Sequence, residues 1–174
     1  KPDLNTTVMD PFMAQPTMIV FCDILDAVTK EPYERDPRGT ARKAEELVSS
    51  SGVGDTIFMG PEAEFFVFDD VKFQVDMNKS MFEIDSTEGP YNSGRSYESG
   101  NLAHRPGIKG GYFPVPPVDS GQDLRTEFLE ELKNLGLSVE KHHHEVAPSQ
   151  HELGLKFDTL LKQGDAMQLY KYGV

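Results

Sequence analysis

Residues 139–160 read VEKHHHEVAPSQHELGLKFDTL, and the reading of this stretch decides the fold. Residues 137–157 have extended character with a break near Pro148. Asp158 then stands where a cap for a last helix would, leading into the C-terminus. On the other side, Ser120 with Asp123 three residues later opens a helix carried by Leu124, Phe128, Leu132 and Leu135 and stopped at Gly136. Strands therefore flank helices here without the even βαβ alternation of a parallel sheet.

Further outward, residues 56–69, TIFMGPEAEFFVFD, read as a long strand interrupted at Gly60-Pro61, and MFEID at 81–85 as a weaker strand. Residues 18–25, MIVFCDIL, form an apolar run suited to a buried strand. Asp36 before Pro37 predicts a helix start; Ala41, Ala44, Leu47 and Val48 continue it at helical spacing and Gly52 ends it. Residues 86–122 are rich in Gly, Pro, Ser and Asn, with no lasting period. Tyr91, Tyr97, Tyr112, Phe113, Pro114, Pro116 and Pro117 punctuate this stretch and argue against plain disorder. The fold class expected is α+β with a mostly antiparallel sheet flanked by helices.

The 174 residues carry a formal net charge of −12. Nucleic acid and anionic membranes both reward a basic surface, so neither is expected as a partner. The single cysteine, Cys22, cannot form an internal disulfide, and no apolar run approaches a membrane span. The opening KPDLNTTVMDPF and the closing QLYKYGV read as cut ends.

Converging acidic residues need cations, and two clusters stand out. Glu62 and Glu64 are two apart, so on a strand they share a face. Among Phe65, Phe66, Val67 and Phe68, such a pair either raises a pKa or binds a cation; the plainer alternative is an edge strand with solvated carboxylates. The second cluster is EKHHHE at 140–145, where His142 pairs by face with His144 and His143 with Glu145. Zinc would require several of these histidines to converge, and a cupin-like pattern fails because positions 148 and 149 are Pro and Ser. With Glu62, Glu64, Glu145 and Glu152 available, oxygen donors dominate and Mg²⁺ or Mn²⁺ suits the set better. No phosphate-binding glycine motif is present beyond the weak Gly107–Gly111 run, and Arg125 reads as a salt-bridge partner. An acid–base dyad of Glu62 and Glu64 lacks a nucleophile or oxyanion device beside it.

Three segments, GPEAEFFVFDD at 60–70, HRPGIKGGYFPVPPVDSGQDLR at 104–125 and the stretch at 139–160, together resemble bacterial-type (type I) glutamine synthetase. CDIL at 22–25, YERDPRG at 33–39 and YKYGV at 170–174 are similar to that family too. The resemblance implies that residues 1–33 end an N-terminal β-grasp domain and that 34–174 form the first half of a catalytic domain. It implies ATP-dependent ligation of ammonia to L-glutamate through a γ-glutamyl phosphate, with two divalent metals, Mg²⁺ or Mn²⁺. By position, Glu64, Glu145 and Glu152 would hold the first metal and Glu62 the second. Glu140, Phe157 and His143 would lie on the nucleotide side, while Tyr112 and Glu145 would border the ammonium pocket. The second metal's other ligands and the substrate-gripping arginines would lie beyond Val174, and an ammonium-binding aspartate before Lys1, so this chain alone is expected to be inactive. A cytoplasmic homo-oligomer, a dodecameric ring, is also implied. Ligation of other amines to glutamate and a non-catalytic metal-binding scaffold are the alternatives. Glu140 and Glu145 are an odd number apart, so a bulge or strand end is expected at 142–145 if both reach one funnel.

Overall fold

The computed structural model describes residues 1–92, 98 and 104–174. The chain divides into two compact units, one of residues 1–61, 128–140 and 155–174, the other of residues 62–127 and 141–154. Every strand pair with a defined register is antiparallel, in line with the α+β expectation.

In the first unit, β1 (Val8–Met9) pairs with β2 (Met18–Ile19). Helix α1 (Pro37–Ser51) begins where the sequence indicates: the Asp36 carboxylate accepts from the Arg38 amide at 3.2 Å, and Gly52 closes the helix at φ 73°. Strand β3 (Phe58–Met59) pairs with the short β9 (Asp158–Thr159), after which α3 (Leu160–Gly173) runs on from Thr159. Asp158 is therefore not the cap; its carboxylate accepts from the Thr159 amide at 2.7 Å, inside the strand. The core gathers Leu132 and Leu135 with Leu155, Leu169 and Tyr170.

The run 18–25 does not form a buried strand. Only two of its residues lie in a ladder and none is buried. Its Asp23 is drawn instead to Arg38, whose guanidinium also holds Asp3 at 3.0 Å and Asp165 at 2.9 Å. One arginine thereby ties three acidic segments of this unit, and polar pairing, not apolar burial, positions the run.

In the second unit lie β4 (Glu64–Phe66), β5 (Asp70–Asp76), β6 (Lys79–Asp85) and most of β7 (Val139–His144) and β8 (Gln150–Leu155). The interruption expected at Gly60-Pro61 separates β3 from β4, since proline supplies no ladder donor. The sheet order is β4-β8-β7, so β4 is an edge. Backbone bonds from Glu145 N to Gln150 O and from Lys156 N to Ser138 O bracket β7 and β8 as a hairpin. Strands β5 and β6 form a second hairpin, in register from Asp70↔Asp85 to Asp76↔Lys79. Helix α2 (Gln122–Asn134) follows its apolar spacing, with Gly136 at φ 80° just beyond it, but it starts two residues after Ser120, whose hydroxyl donates to Glu88 at 2.8 Å. Of the irregular stretch 86–122, residues 93–97, which include Tyr97, and 99–103 lie outside the described residues.

Candidate metal centre

Alternation along β7 and β8 sorts their polar side chains onto two faces. Glu64 and Glu152 are direct cross-strand partners, so they share a face. His143 and Glu145, two apart at the end of β7, join them; His142, His144 and His151 belong to the other side.

On the first face His143, Glu145 and Glu152 converge: each offers a ligand atom, and these lie within 4.8 Å of one another. His143 Nε2 stands 2.7 Å from Glu145 Oε1 and 3.6 Å from Glu152 Oε2. The second Glu145 oxygen accepts from the Val146 amide at 3.0 Å. All three residues are buried. Burial pushes the Glu152 carboxyl above its ordinary range, against the pull of His143 and Lys141, and the charges of Glu145 and Glu62 push it further. Buried carboxylates in mutual repulsion around one point form a donor set that fits a hard divalent cation. The Nδ1 atom of His143 is buried with no partner among the described residues. A ligating histidine ordinarily donates through its other nitrogen, so His143 lacks the support typical of a ligand, while Glu145 and Glu152 have the better claim.

Glu62 and Glu64 are exposed, on and beside the edge strand. The expectation of a pair buried among phenylalanines is corrected here: an edge strand leaves its outer side to solvent. The Glu64 carboxylate accepts from Gln150 Nε2 at 2.5 Å and is not part of the three-residue convergence. Tyr112 is largely exposed, with its ring edge-on to that of His143 at 5.8 Å. Glu140 is exposed on β7 and Phe157 is exposed beside Phe58, ring centroids 5.6 Å apart; both fall in the first unit. Strand β7 runs unbroken to His144 and ends there, but Glu145 continues its alternation onto the face of His143, so the strand end does not turn Glu140 and Glu145 to one side as expected.

The second face is a closed charge network. Arg125, 1% exposed, is bidentate on Asp119, and it also donates to Nδ1 of His142 and of His151, each at 3.1 Å. Both histidines must accept there, since a guanidinium only donates. Burial, with the Arg125 charge beside it, lowers the His142 pKa, and burial with the His144 and Arg125 charges lowers that of His151 to about 4.

His144 is the opposite case. Its Nδ1 faces the carbonyls of Gly111 at 2.8 Å and Glu145 at 2.6 Å, and its Nε2 faces Glu88 Oε2 at 2.6 Å. Every neighbour is an acceptor, so both nitrogens donate and the ring is an imidazolium; although burial opposes the charge, the Glu88 hydrogen bond raises its pKa. Burial likewise opposes ionisation of Glu88, yet bonds from His144, the Ser149 amide and Ser120 bring its pKa down to about 2. Gly111 makes the approach feasible: a Cβ there would lie 2.7 Å from Glu145 O and 2.8 Å from His144 Cε1.

The sequence reading of Arg125 as a salt-bridge partner holds. It missed Glu88, Asp119, Ser149 and His151. His151 was accessible, since alternation sends it to the face opposite Glu152; Glu88 sits in aperiodic chain and left no such signal.

Residues 34–174 match the family model of the glutamine synthetase catalytic domain. Glutamine synthetases of Azospirillum brasilense and Rhizobium meliloti (strain 1021) are 63% identical over 172 residues and 62% identical over 173; each alignment covers 99% of this chain and 37% of the relative. The chain thus spans just over a third of the length of these curated relatives. A cryo-electron-microscopy structure of Plasmodium falciparum glutamine synthetase matches with a TM-score of 0.84 at 26% identity, covering 99% of this chain and 34% of the other. The chain belongs to the glutamine synthetase family.

Proposed function

We propose that the full-length protein ligates ammonia to L-glutamate at the cost of ATP, and that this chain supplies most of its first metal site. The observation that carries the reading is the convergence of buried Glu145 and Glu152 with His143 within 4.8 Å, in a chain of this family. Glu64 is the third proposed ligand of that metal, supported by its position directly across from Glu152. Glu62 is assigned to a second metal whose remaining ligands come from outside this chain. Mg²⁺ or Mn²⁺ would offset the negative charge of ATP and of the acyl phosphate.

In the proposed reaction the side-chain carboxylate of glutamate attacks the γ-phosphorus of ATP, forming an acyl phosphate and releasing ADP. Ammonia, left when ammonium gives up a proton, then attacks the acyl carbon, and the C–O bond to phosphate breaks. The chain's residues would bind and orient. Tyr112 and Glu145 border the ammonium pocket, and Glu145 offers negative charge to the cation. Glu140, Phe157 and His143 are the nucleotide-side assignments, Phe157 with an exposed ring open to stacking. His143 is equally supported as a neighbour of the metal, since its Nε2 is bonded to Glu145.

The same reading takes residues 1–33 as the end of a β-grasp domain and 34–174 as the first half of the catalytic domain. It takes the protein as a cytoplasmic homo-oligomer, a dodecameric ring, with no nucleic-acid or membrane partner. An exposed apolar side on the β5–β6 hairpin (Val71, Phe73, Val75 and Phe82) supports burial of that surface in an assembly. Among the described residues no helix is long and apolar enough to cross a membrane.

The test is phosphate release by the full-length protein. It should require glutamate, ammonium, ATP and Mg²⁺ together. Release with an alkylamine in place of ammonium, and not with ammonium, would replace this reading by a glutamate–amine ligase. Metal binding without any turnover would replace it by the scaffold reading.

A further inference from the structure

Glu88 lies outside the carboxylate cluster and contributes no atom to it, yet three segments close on its side chain. Its Oε1 accepts from Ser120 Oγ at 2.8 Å, just ahead of α2. Its Oε2 accepts from His144 Nε2 and from the Ser149 amide, each at 2.6 Å. The backbone that presents Glu88 is itself pinned. The Thr87 amide donates to Asp69 at 2.6 Å, the Thr87 carbonyl accepts from Arg105 Nε at 2.9 Å, and the Ser86 carbonyl accepts from Asn92 at 2.5 Å.

The two Oε2 contacts grip both ends of the turn at 145–149. Ser149 sits at φ 66°, a conformation that costs a non-glycine residue on the order of 1 kcal/mol or more and persists only where its surroundings hold it. The Glu88 carboxylate accepting its amide, and the Ser86 hydroxyl touching its own, are that hold. At the other end His144 passes the grip on. Its Nδ1 is bonded to the carbonyls of Glu145 and Gly111, while Gly111 N bonds Val146 O and Phe113 N bonds His144 O. Glu145 and Tyr112 therefore sit on backbone fixed through one carboxylate.

We propose that Glu88 is a positioning residue: through His144 and the Ser149 amide it sets the 145–149 turn and the 111–113 loop, and so the placement of Glu145 and Tyr112. This deepens the metal and ammonium reading above and rests on it. Of the nucleotide-side assignments, His143 bonds Glu145, while Glu140 and Phe157 make no hydrogen bond to this hub among the described residues.

The experiment uses the full-length protein with Glu88→Gln, His144→Asn, the double variant, and Glu152→Gln as the control for the site itself. Mn²⁺ binding is titrated at 25 °C on samples whose circular dichroism matches the unsubstituted protein, and KM values are taken at saturating Mn²⁺. Loss of a partner behind a ligand typically weakens metal binding by about 10- to 100-fold. Glu88→Gln should therefore weaken Mn²⁺ binding about tenfold and raise KM for ammonium, with KM for ATP changed less than about twofold. The double variant should be no worse than the worse single one, because both substitutions cut one chain of contacts. If Glu88→Gln does not fold, Glu88→Asp keeps the charge but loses the reach, and the same shifts are expected of it. Mn²⁺ affinity within about twofold of the unsubstituted protein, equal rises in both KM values, or single effects that multiply in the double variant would overturn the role of Glu88. Unchanged Mn²⁺ affinity in Glu152→Gln would instead overturn the site reading beneath it.

Discussion

The two faces of the β4-β8-β7 sheet are built from neighbouring residues and solve opposite problems. His142, His144 and His151 turn to one side, where Arg125, Asp119 and Glu88 answer their hydrogen-bonding groups, so that charge is buried there but balanced. His143, Glu145 and Glu152 turn to the other, where two carboxylates face one imidazole and His143 Nδ1 has no partner among the described residues. A protein selected only for stability would not leave the second arrangement; groups in mutual repulsion at a fixed place support the cation site proposed there. The closed face also explains how the open one is held. His144 and His143 are adjacent in sequence, so a rigid bond network on one side fixes the backbone from which the other side projects.

The largest effect expected separates the faces by their response to losing one charge. Arg125→Ala leaves the Asp119 carboxylate buried without its partner, a change that typically costs about 3–5 kcal/mol. The urea midpoint of the full-length protein should fall accordingly. Asp119→Asn added to Arg125→Ala should recover much of the loss, since the stranded charge is then gone. A midpoint unchanged by Arg125→Ala would erase the distinction between a balanced and an unbalanced face.

The same operation on the open face should have the opposite sign. Burial raises the folded-state pKa of Glu152, aided by Glu145 and Glu62. The native state therefore prefers the protonated acid, and stability contributed by that preference is present below the ordinary carboxyl pKa and lost as pH rises through the folded value. Without divalent metal at neutral pH, Glu152→Gln should raise the midpoint by an amount on the order of 1 kcal/mol. With Mn²⁺ the order should reverse, because ligand binding stabilises only the protein that retains the site. Thermal midpoints in chelator and in Mn²⁺ read both halves; a Glu152→Gln variant that is less stable in chelator would contradict the repulsion argument.

Legibility in the sequence followed the same division. Helix α1 was readable to the residue because Asp36, Pro37 and Gly52 act through local backbone chemistry. The hairpin β7–β8 and the facing of His143 with Glu145 were readable because alternation is also local. The run 18–25 misled because its apolar character was real but its position is governed by Arg38, an interaction across distant segments. The break at Gly60-Pro61 was legible from those two residues, but not that β3 and β4 on either side of it join different sheets, which is set by distant partners. The candidate metal cluster was half legible. Glu145 and Glu152 could be named, but His143 was read on the nucleotide side, and whether Glu64 lay inside the convergence depended on β4 being an edge strand, which no local pattern reports. Glu88 was invisible for the strongest form of this reason: the three bonds its carboxylate accepts come from chain 32 or more residues away.

The smallest effect concerns a cation beside the open face, Lys141. Lys141 Nζ stands 4.0 Å from Glu152 Oε1, and the lysine side chain is 57% exposed. Its aliphatic stem lies over Gly154, where a Cβ would come within 2.8 Å of Lys141 Cγ, so the stem packs even though the ammonium is solvated. Exposed pairs of this kind contribute about 0.2–1 kcal/mol, and the charge is screened within about 10 Å at 0.1 M salt. Lys141→Met keeps the stem and removes the charge. With no ammonium competing for Glu152, Mn²⁺ affinity should rise about two- to threefold at low ionic strength, the equivalent of about 0.5 kcal/mol, and the gain should shrink towards nothing in 0.5 M KCl. A gain that persists at high salt would mean that Lys141 acts through packing against Gly154 instead. A loss of affinity would mean that Lys141 positions Glu152 rather than competing for it, and the open face would then be less open than the contrast with its closed partner requires.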